Sequence, residues 1–154
     1  MKDDELIFCL AVPEDSLELT RLRMDMRREL DAGFREEEIY AATLGYFERC
    51  LADGSHIEIV CRDGGRIVGM VGLTFFEAIP TSRLPNGRTA KLMNMYVVPG
   101  HRRRGIARRL LRHALDEARR RSCGRVTLNS SPAGEELYRG GGFVPVEREF
   151  EMIF

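Results

Sequence analysis

Apolar positions recur along this chain at two spacings, and the switches between them mark out the elements. Residues 6–12, Leu-Ile-Phe-Cys-Leu-Ala-Val, form an unbroken apolar run stopped by Pro13 and read as a buried strand. Asp15 or Ser16 is placed to cap a helix whose apolar stripe is Leu17, Leu19, Leu22, Met26 and Leu30, with Gly33 beyond it. A second helical stripe, Ile39, Tyr40, Thr43, Leu44 and Phe47, predicts a helix over 36–51, closed by Asp53-Gly54. The period then drops to two. Residues 57–61 alternate, Asp63-Gly64-Gly65-Arg66 signals a hairpin, and 67–76 read as the returning strand. Gly69 and Gly72 inside that strand mark a bulge, a close backbone approach or a plain run of small residues.

Residues 79–88 carry Pro80, Pro85 and Asn86-Gly87 and read as a loop, after which 89–98 form a third long strand ended by Pro99-Gly100. Helical spacing returns over 105–121, with Ile106, Leu110, Leu111, Ala114, Leu115 and Ala118 facing inward. A short strand over 125–129, a short helix from Ser131 or Pro132 to Arg139, a triple glycine at 140–142 and strand material over 143–146 and 149–154 complete the chain. The order is β-α-α-β-β-β-α-β-α-β. Hairpin-linked strands followed by a helical crossover predict a mixed α/β (α+β) sheet flanked by helices. No repeat or linker divides the chain, so residues 1–154 read as a single domain.

Charge changes this picture locally. Lys+Arg and Asp+Glu both number 24, and the formal net charge is zero, which argues against a dedicated nucleic-acid binder. Yet arginines crowd between Arg102 and Arg125, as expected beside an anionic ligand. The four cysteines, Cys9, Cys50, Cys61 and Cys123, include no Cys-x-x-Cys pair, and no metal site is expected. The acidic Lys2-Asp3-Asp4-Glu5 start does not resemble a signal peptide, and no apolar window approaches a membrane span, so a cytoplasmic location with reduced thiols is expected.

The chemistry concentrates in Asn94-Met95-Tyr96-Val97-Val98-Pro99-Gly100-His101-Arg102-Arg103-Arg104-Gly105-Ile106-Ala107: a strand, a basic turn and a helix start. A helix N-terminus exposes unpaired N–H groups and the positive end of the dipole, and compact turns add further amides. Gly105 leaves room for backbone to approach a pyrophosphate, Ala107 keeps the first turn small, and arginines bridge phosphate oxygens. The stretch is neither a Walker loop nor a dinucleotide fingerprint.

Arg102-Arg103-Arg104-Gly105-Ile106-Ala107 resembles the Arg/Gln-x-x-Gly-x-Gly/Ala signature of the GCN5-related N-acetyltransferases. Tyr96-Val97-Val98-Pro99 before it, Leu110-Leu111 after it, and the later Leu137-Tyr138-Arg139-Gly140-Gly141-Gly142-Phe143 match that family in order and spacing. The resemblance implies an enzyme that moves an acetyl group from acetyl-CoA to a primary amine by direct attack in a ternary complex. Met95, Tyr96 and Val97 would meet the pantetheine amides. Arg102, Arg103, Arg104, Gly105, Ile106, Ala107 and Arg108 would wrap the pyrophosphate. The strand over 125–129 would splay away to leave a slot for the thioester arm. Ser131 stands where many relatives carry a pantetheine-binding Asn.

Tyr138 would act as the acid near the coenzyme sulfur and the Val97 N–H as the oxyanion donor. Glu77 is the candidate base, with Asn94 and Glu29 as further candidates. Arg109, Arg112, Arg119, Arg120 and Arg121 read as a solvated helix face, His101 as an exposed turn residue, and His56 and His113 as structural. The acceptor is a small-molecule or peptide amine; the acids Glu36-Glu37-Glu38 hint at a cationic one. A homodimer is the assembly common among relatives, and neither nucleic acid nor membrane is expected as a partner. The alternative from a different class is a non-catalytic acyl-CoA-binding regulatory module.

Overall fold

A computed structural model describes residues 6–146 and 148–154; the acidic stretch at residues 2–5 lies outside them. The strands are β1 (Ile7–Leu10), β2 (His56–Asp63), β3 (Arg66–Glu77), β4 (Arg88–Val97) and β5 (Arg125–Thr127), and the helices are α1 (Ser16–Leu30), α2 (Glu36–Asp53), α3 (Ile106–Arg120) and α4 (Glu135–Gly140). The strands form one sheet in chain order: three antiparallel pairs, then a parallel β4–β5 pair. That last pair requires a crossover, and α3 supplies it.

Side-chain alternation divides the core in two. Ile57, Ile59, Cys61, Val71, Leu73, Leu92 and Val97 meet the buried stripe of α3, namely Ile106, Leu110, Leu111, Ala114 and Ala118. Val60, Ile67, Met70 and Tyr96 meet Leu19, Leu22 and Met26 of α1 and Phe47 of α2 on the opposite face. Alternation in β2 therefore follows the expected faces, but its polar positions are not solvated. His56 and Glu58 are buried because α1 and α2 cover that face.

Two bulges interrupt the ladder. Cys61 pairs with Gly69 and Arg62 with Ile67, so Val68 is an extra residue on β3, and Glu18 of α1 accepts the Ile67 N–H (2.8 Å). Met70 pairs with Tyr96 and Gly72 with Met93, which leaves Asn94 and Met95 of β4 opposite Val71 alone. Asn94 takes φ 62°, a left-handed conformation that asparagine tolerates better than most residues. Both glycines of β3 prove to be close approaches. A Cβ on Gly69 would lie 3.0 Å from Ile106 and 3.1 Å from Leu110, and one on Gly72 would lie 2.7 Å from His56 Cε1.

The C-terminal expectation needs correction. Residues 143–146 and 148–154 form no strand. Phe143 packs against Tyr138, but Val144, Val146, Phe150, Met152, Ile153 and Phe154 are exposed. Their apolar pattern suits a strand, yet no partner strand covers them among the described residues. β5 also stops at Thr127, two residues early, and Ser131 precedes a 3-10 turn (Pro132–Gly134) that leads into α4.

Candidate functional site

The turn between β4 and α3 is built from backbone that favours exposed amides. Pro99–His101 make one 3-10 turn, Arg103 adopts φ 62° and Gly105 φ 73°. Gly105 is the N-cap of α3, and no side chain caps the helix there. The Arg109 N–H returns to the Gly105 carbonyl (3.1 Å), while the N–H groups of Arg103, Gly105, Ile106, Ala107 and Arg108 have no protein acceptor among the described residues. A Cβ on Gly105 would meet nothing within 4 Å, so glycine serves the left-handed φ and leaves open space above the amides.

The arginines divide by partner. Arg103 and Arg108 are exposed and have no acidic partner among the described ion pairs. Arg102 is committed inward. Its Nε donates to the Val97 carbonyl (2.8 Å), its Nη2 meets Glu29 (2.7 Å), and it lies 5.5 Å from the Tyr96 ring. Farther along α3, Arg119 pairs with Asp116, and Arg120 and Arg121 pair with Glu117, as a solvated helix face does. Arg109 covers the Phe8 ring at 4.1 Å. His101 is not idle: its Nε2 bonds Asp63 Oδ2 (2.8 Å), anchoring the turn to the β2–β3 hairpin.

Below the turn the sheet opens. β4 and β5 pair from Thr89↔Arg125 to Lys91↔Thr127 and then part. Among the described residues, no strand lies beside the outer edge of β4 from Leu92 to Val97. The Val98 N–H donates to the Val68 carbonyl (2.9 Å), so strand alternation turns the backbone groups of Val97 away from β3, toward the gap. The bulge at Asn94 alters which β4 groups face outward just inside the opening.

Tyr138 stands on the α3 side of this gap. Its ring packs on the same apolar cluster as Met95, Ala107 and Leu128, edge-on to Phe143 at 5.9 Å. Burial raises its phenol above the ordinary value, so the hydroxyl keeps its proton at neutral pH. Ser131 is nearby: a methyl built on Gly134 would lie 3.1 Å from Tyr138 Cε2 and 3.5 Å from Ser131 Oγ.

The structure does not bring Glu77 to this group. It ends β3 opposite Arg88, whereas Gly69 of the same strand lies opposite Val97; eight residues of strand separate the two positions, roughly 26 Å. Its side chain is 76 % exposed, and it lines a cavity of about 240 Å³ with Phe75, Phe76, Arg88, Thr89, Arg121 and Cys123, at the paired end of β4 and β5. Glu29 is held below the usual carboxylate range by the Tyr96 hydroxyl (2.6 Å) and Arg102, which makes it a weak proton acceptor. Burial, and then the same contact, push Tyr96 up to about 12.

Sequence reading missed a polar group on the α1/α2 face. Tyr46 Oη meets Thr74 Oγ1 (3.2 Å), Thr74 Oγ1 meets His56 Nδ1 (2.8 Å), and His56 Nε2 meets Glu58 Oε1 (2.7 Å). Asn94 Nδ2 donates to Glu58 Oε1 (3.0 Å), and Arg23 Nη1 donates to Asn94 Oδ1 (3.1 Å). The signal available in the sequence was His56-x-Glu58 on one strand opposite Gly72-x-Thr74 on the next, a pair of polar residues facing a missing side chain. Among the described residues no group of His, Cys, Asp and Glu is arranged to hold a metal ion. No helix among them is long and apolar enough to cross a membrane.

This geometry has close counterparts. A GCN5-related N-acetyltransferase from Ralstonia eutropha JMP134 superposes with a TM-score of 0.86 at 27 % identity, covering 96 % of this chain and 98 % of that one. A predicted acetyltransferase from Clostridium acetobutylicum, solved with acetyl-CoA, gives 0.86 at 26 % identity with 96 % of each chain covered. The aminoglycoside N-acetyltransferase AAC(6')-Iy in complex with CoA shares the fold at 16 % identity, with a TM-score of 0.76 over 97 % of this chain and 94 % of that one. No curated protein is matched by the chain. The model of the Acetyltransferase (GNAT) family matches residues 19–143, and the chain therefore belongs to that family.

Proposed function

We propose that the protein transfers an acetyl group from acetyl-CoA to a primary amine by direct attack within a ternary complex. One observation carries this reading: the gap between β4 and β5 leads straight into a turn where the N–H groups of Arg103, Gly105, Ile106, Ala107 and Arg108 have no acceptor, and Arg103 and Arg108 no acidic partner, among the described residues. A diphosphate fits that turn because backbone amides, the α3 dipole and two arginines all offer positive charge to it. Met95 to Val97 would hold the pantetheine arm along the open edge of β4, with Ser131 on the opposite side.

In this arrangement an outward-facing N–H of β4 past the pantetheine arm, toward the root of the gap, faces the carbonyl oxygen of the thioester and stabilises the charge that develops there; Val97, six residues of β4 from Lys91, lies too far up the strand for that role. Tyr138, still protonated at neutral pH, donates to the departing thiolate. Glu77 lies past the root of the gap on β3, with its exposed side chain in the separate cavity at the paired end of β4 and β5.

The acids of α2 do not favour a cationic acceptor as strongly as their sequence run implies. Glu36 pairs with Arg28, and Glu37 and Glu38 pair with Arg35. A second copy of the chain is the expected partner for the exposed apolar C-terminal residues and the free edge of β5. The direct test of the reaction is thiol release from acetyl-CoA over a panel of amines. Turnover on at least one amine supports the enzyme; thermal stabilisation by CoA with no turnover on any of them supports a non-catalytic acyl-CoA-binding module.

A further inference from the structure

The transfer chemistry above leaves one costly group unused. Glu58 is 0 % exposed and His56 1 %. Burying an ionisable pair costs several kcal/mol per charge unless the geometry returns it, and Glu58 Oε2 is buried with no hydrogen-bond partner among the described residues. Gly72 makes the room, since a Cβ there would run into Glu58 Oε1 and His56. An apolar pair would fill this space at lower cost, so the arrangement calls for a role beyond packing.

The hydrogen bonds have a direction. When Glu58 is ionised its carboxylate only accepts, which puts the proton on the inner side of the ring on His56 Nε2 and leaves Nδ1 to accept from the Thr74 hydroxyl. Thr74 is half-buried and forms the outer end of the chain. Register fixes where that end lies: Thr74 pairs with Lys91, and Lys91 with Thr127, the last pair before β4 and β5 part. Thr74 Oγ1 is thus level with the root of the gap, beside the Met93 sulfur (3.9 Å).

We propose that Thr74, His56 and Glu58 form the proton-accepting relay of the reaction, with Thr74 Oγ1 receiving the amine proton and the His56–Glu58 pair holding it. This rests on the acetyltransferase reading. As the amine nitrogen bonds to the carbonyl carbon, its proton passes to Thr74 Oγ1, and the hydroxyl proton of Thr74 moves to His56 Nδ1. The carbon–sulfur bond breaks, and the thiolate takes the proton of Tyr138. Solvent then reprotonates Tyr138 and removes one proton from the relay, so an amine and a thioester have become an amide and a thiol. His56 and Glu58 act through Thr74 and are positioning residues.

The titratable groups facing the relay are Arg23 from α1, Tyr46 and behind it Cys50 from α2, and Lys91 from β4. Burial raises the proton affinity of Glu58, while His56, Asn94 and Arg23 oppose that rise. The net effect brings a carboxylate nearer the pH at which a base is useful.

The test compares the full chain with Thr74→Val, Thr74→Ser and Glu58→Gln. Readouts are turnover against pH on an amine that the wild type acetylates, CoA affinity by calorimetry, and thermal stability. Thr74→Val and Glu58→Gln are expected to lower kcat about 10²-fold with CoA affinity unchanged, and Thr74→Ser to restore most of the rate. In Glu58→Gln the acid limb of the pH–rate profile moves to lower pH, because the anion that helps the relay hold a proton is gone. Should Glu58→Gln not fold, the Thr74 pair carries the test. Wild-type rates and an unmoved acid limb in the variants, or losses that merely track the folded fraction, overturn the relay and leave the transferase reading standing. A wild type that binds CoA and acetylates no amine overturns both.

Discussion

Tyr138 and Asn94 show how much of this site rests on single residues. Tyr138 reads from sequence as an acid by resemblance, and the structure gives the physical basis: a phenol raised by burial beside the gap, with no hydrogen-bond partner among the described residues. Tyr138→Phe removes the proton and keeps the ring, so kcat is expected to fall about 10- to 100-fold while CoA affinity holds, as single-turnover kinetics and calorimetry would show. The sign of its pH dependence follows from the shift. The acid works when protonated and its value is raised, so the alkaline limb of kcat lies above the ordinary tyrosine range and disappears in the Phe variant. Asn94 reads from sequence as a further candidate base from its place just before Tyr96-Val97. Its left-handed φ and its bonds to Glu58 and Arg23 make it instead the hinge of the β4 bulge.

At the scale of elements, the sequence displayed the helices and long strands well because each has a clean period. It displayed the turn at Gly105 because a helix start with no capping side chain leaves a recognisable pattern of glycine, alanine and arginine. What it could not display is cross-strand register. Glu77 looks close to the chemistry along the chain, yet β3 runs antiparallel to β4 and carries it to the far end. Glu58 looks like an outward polar position in an alternating strand, yet α1 and α2 cover that face. Gly69 and Gly72 were ambiguous for the same reason: each is small because of a neighbour from another element. Gly72→Ala places a methyl against a buried polar pair on a packed sheet and is expected to cost about 1–3 kcal/mol, read as a lower midpoint in denaturant. Leu110→Ala in α3 is expected to cost about 2–5 kcal/mol, with the loosened helix start also weakening CoA binding.

For the whole molecule, the sheet has one face under α1 and α2, the other under α3, and one edge that opens at β5. The C-terminal residues that read as a last strand fail to make one because nothing among the described residues pairs with them, leaving Phe150 94 % exposed among other apolar residues. A homodimer that covers this segment is expected to appear as twice the monomer mass in light scattering, and removal of residues 149–154 to return the monomer; a monomer at micromolar concentration would count against it.

The acetyl-CoA reading rests on the proposal that the turn into α3 holds a diphosphate. Calorimetric titration of CoA into the wild type and into an Arg103→Ala/Arg108→Ala double variant addresses it most directly, because both side chains are exposed and their loss leaves the core intact. The double variant is expected to bind CoA about 10-fold or more weakly, as the loss of two charge-assisted contacts implies, with a weaker dependence on salt and an unchanged thermal midpoint. Equal affinity in the two proteins would contradict it.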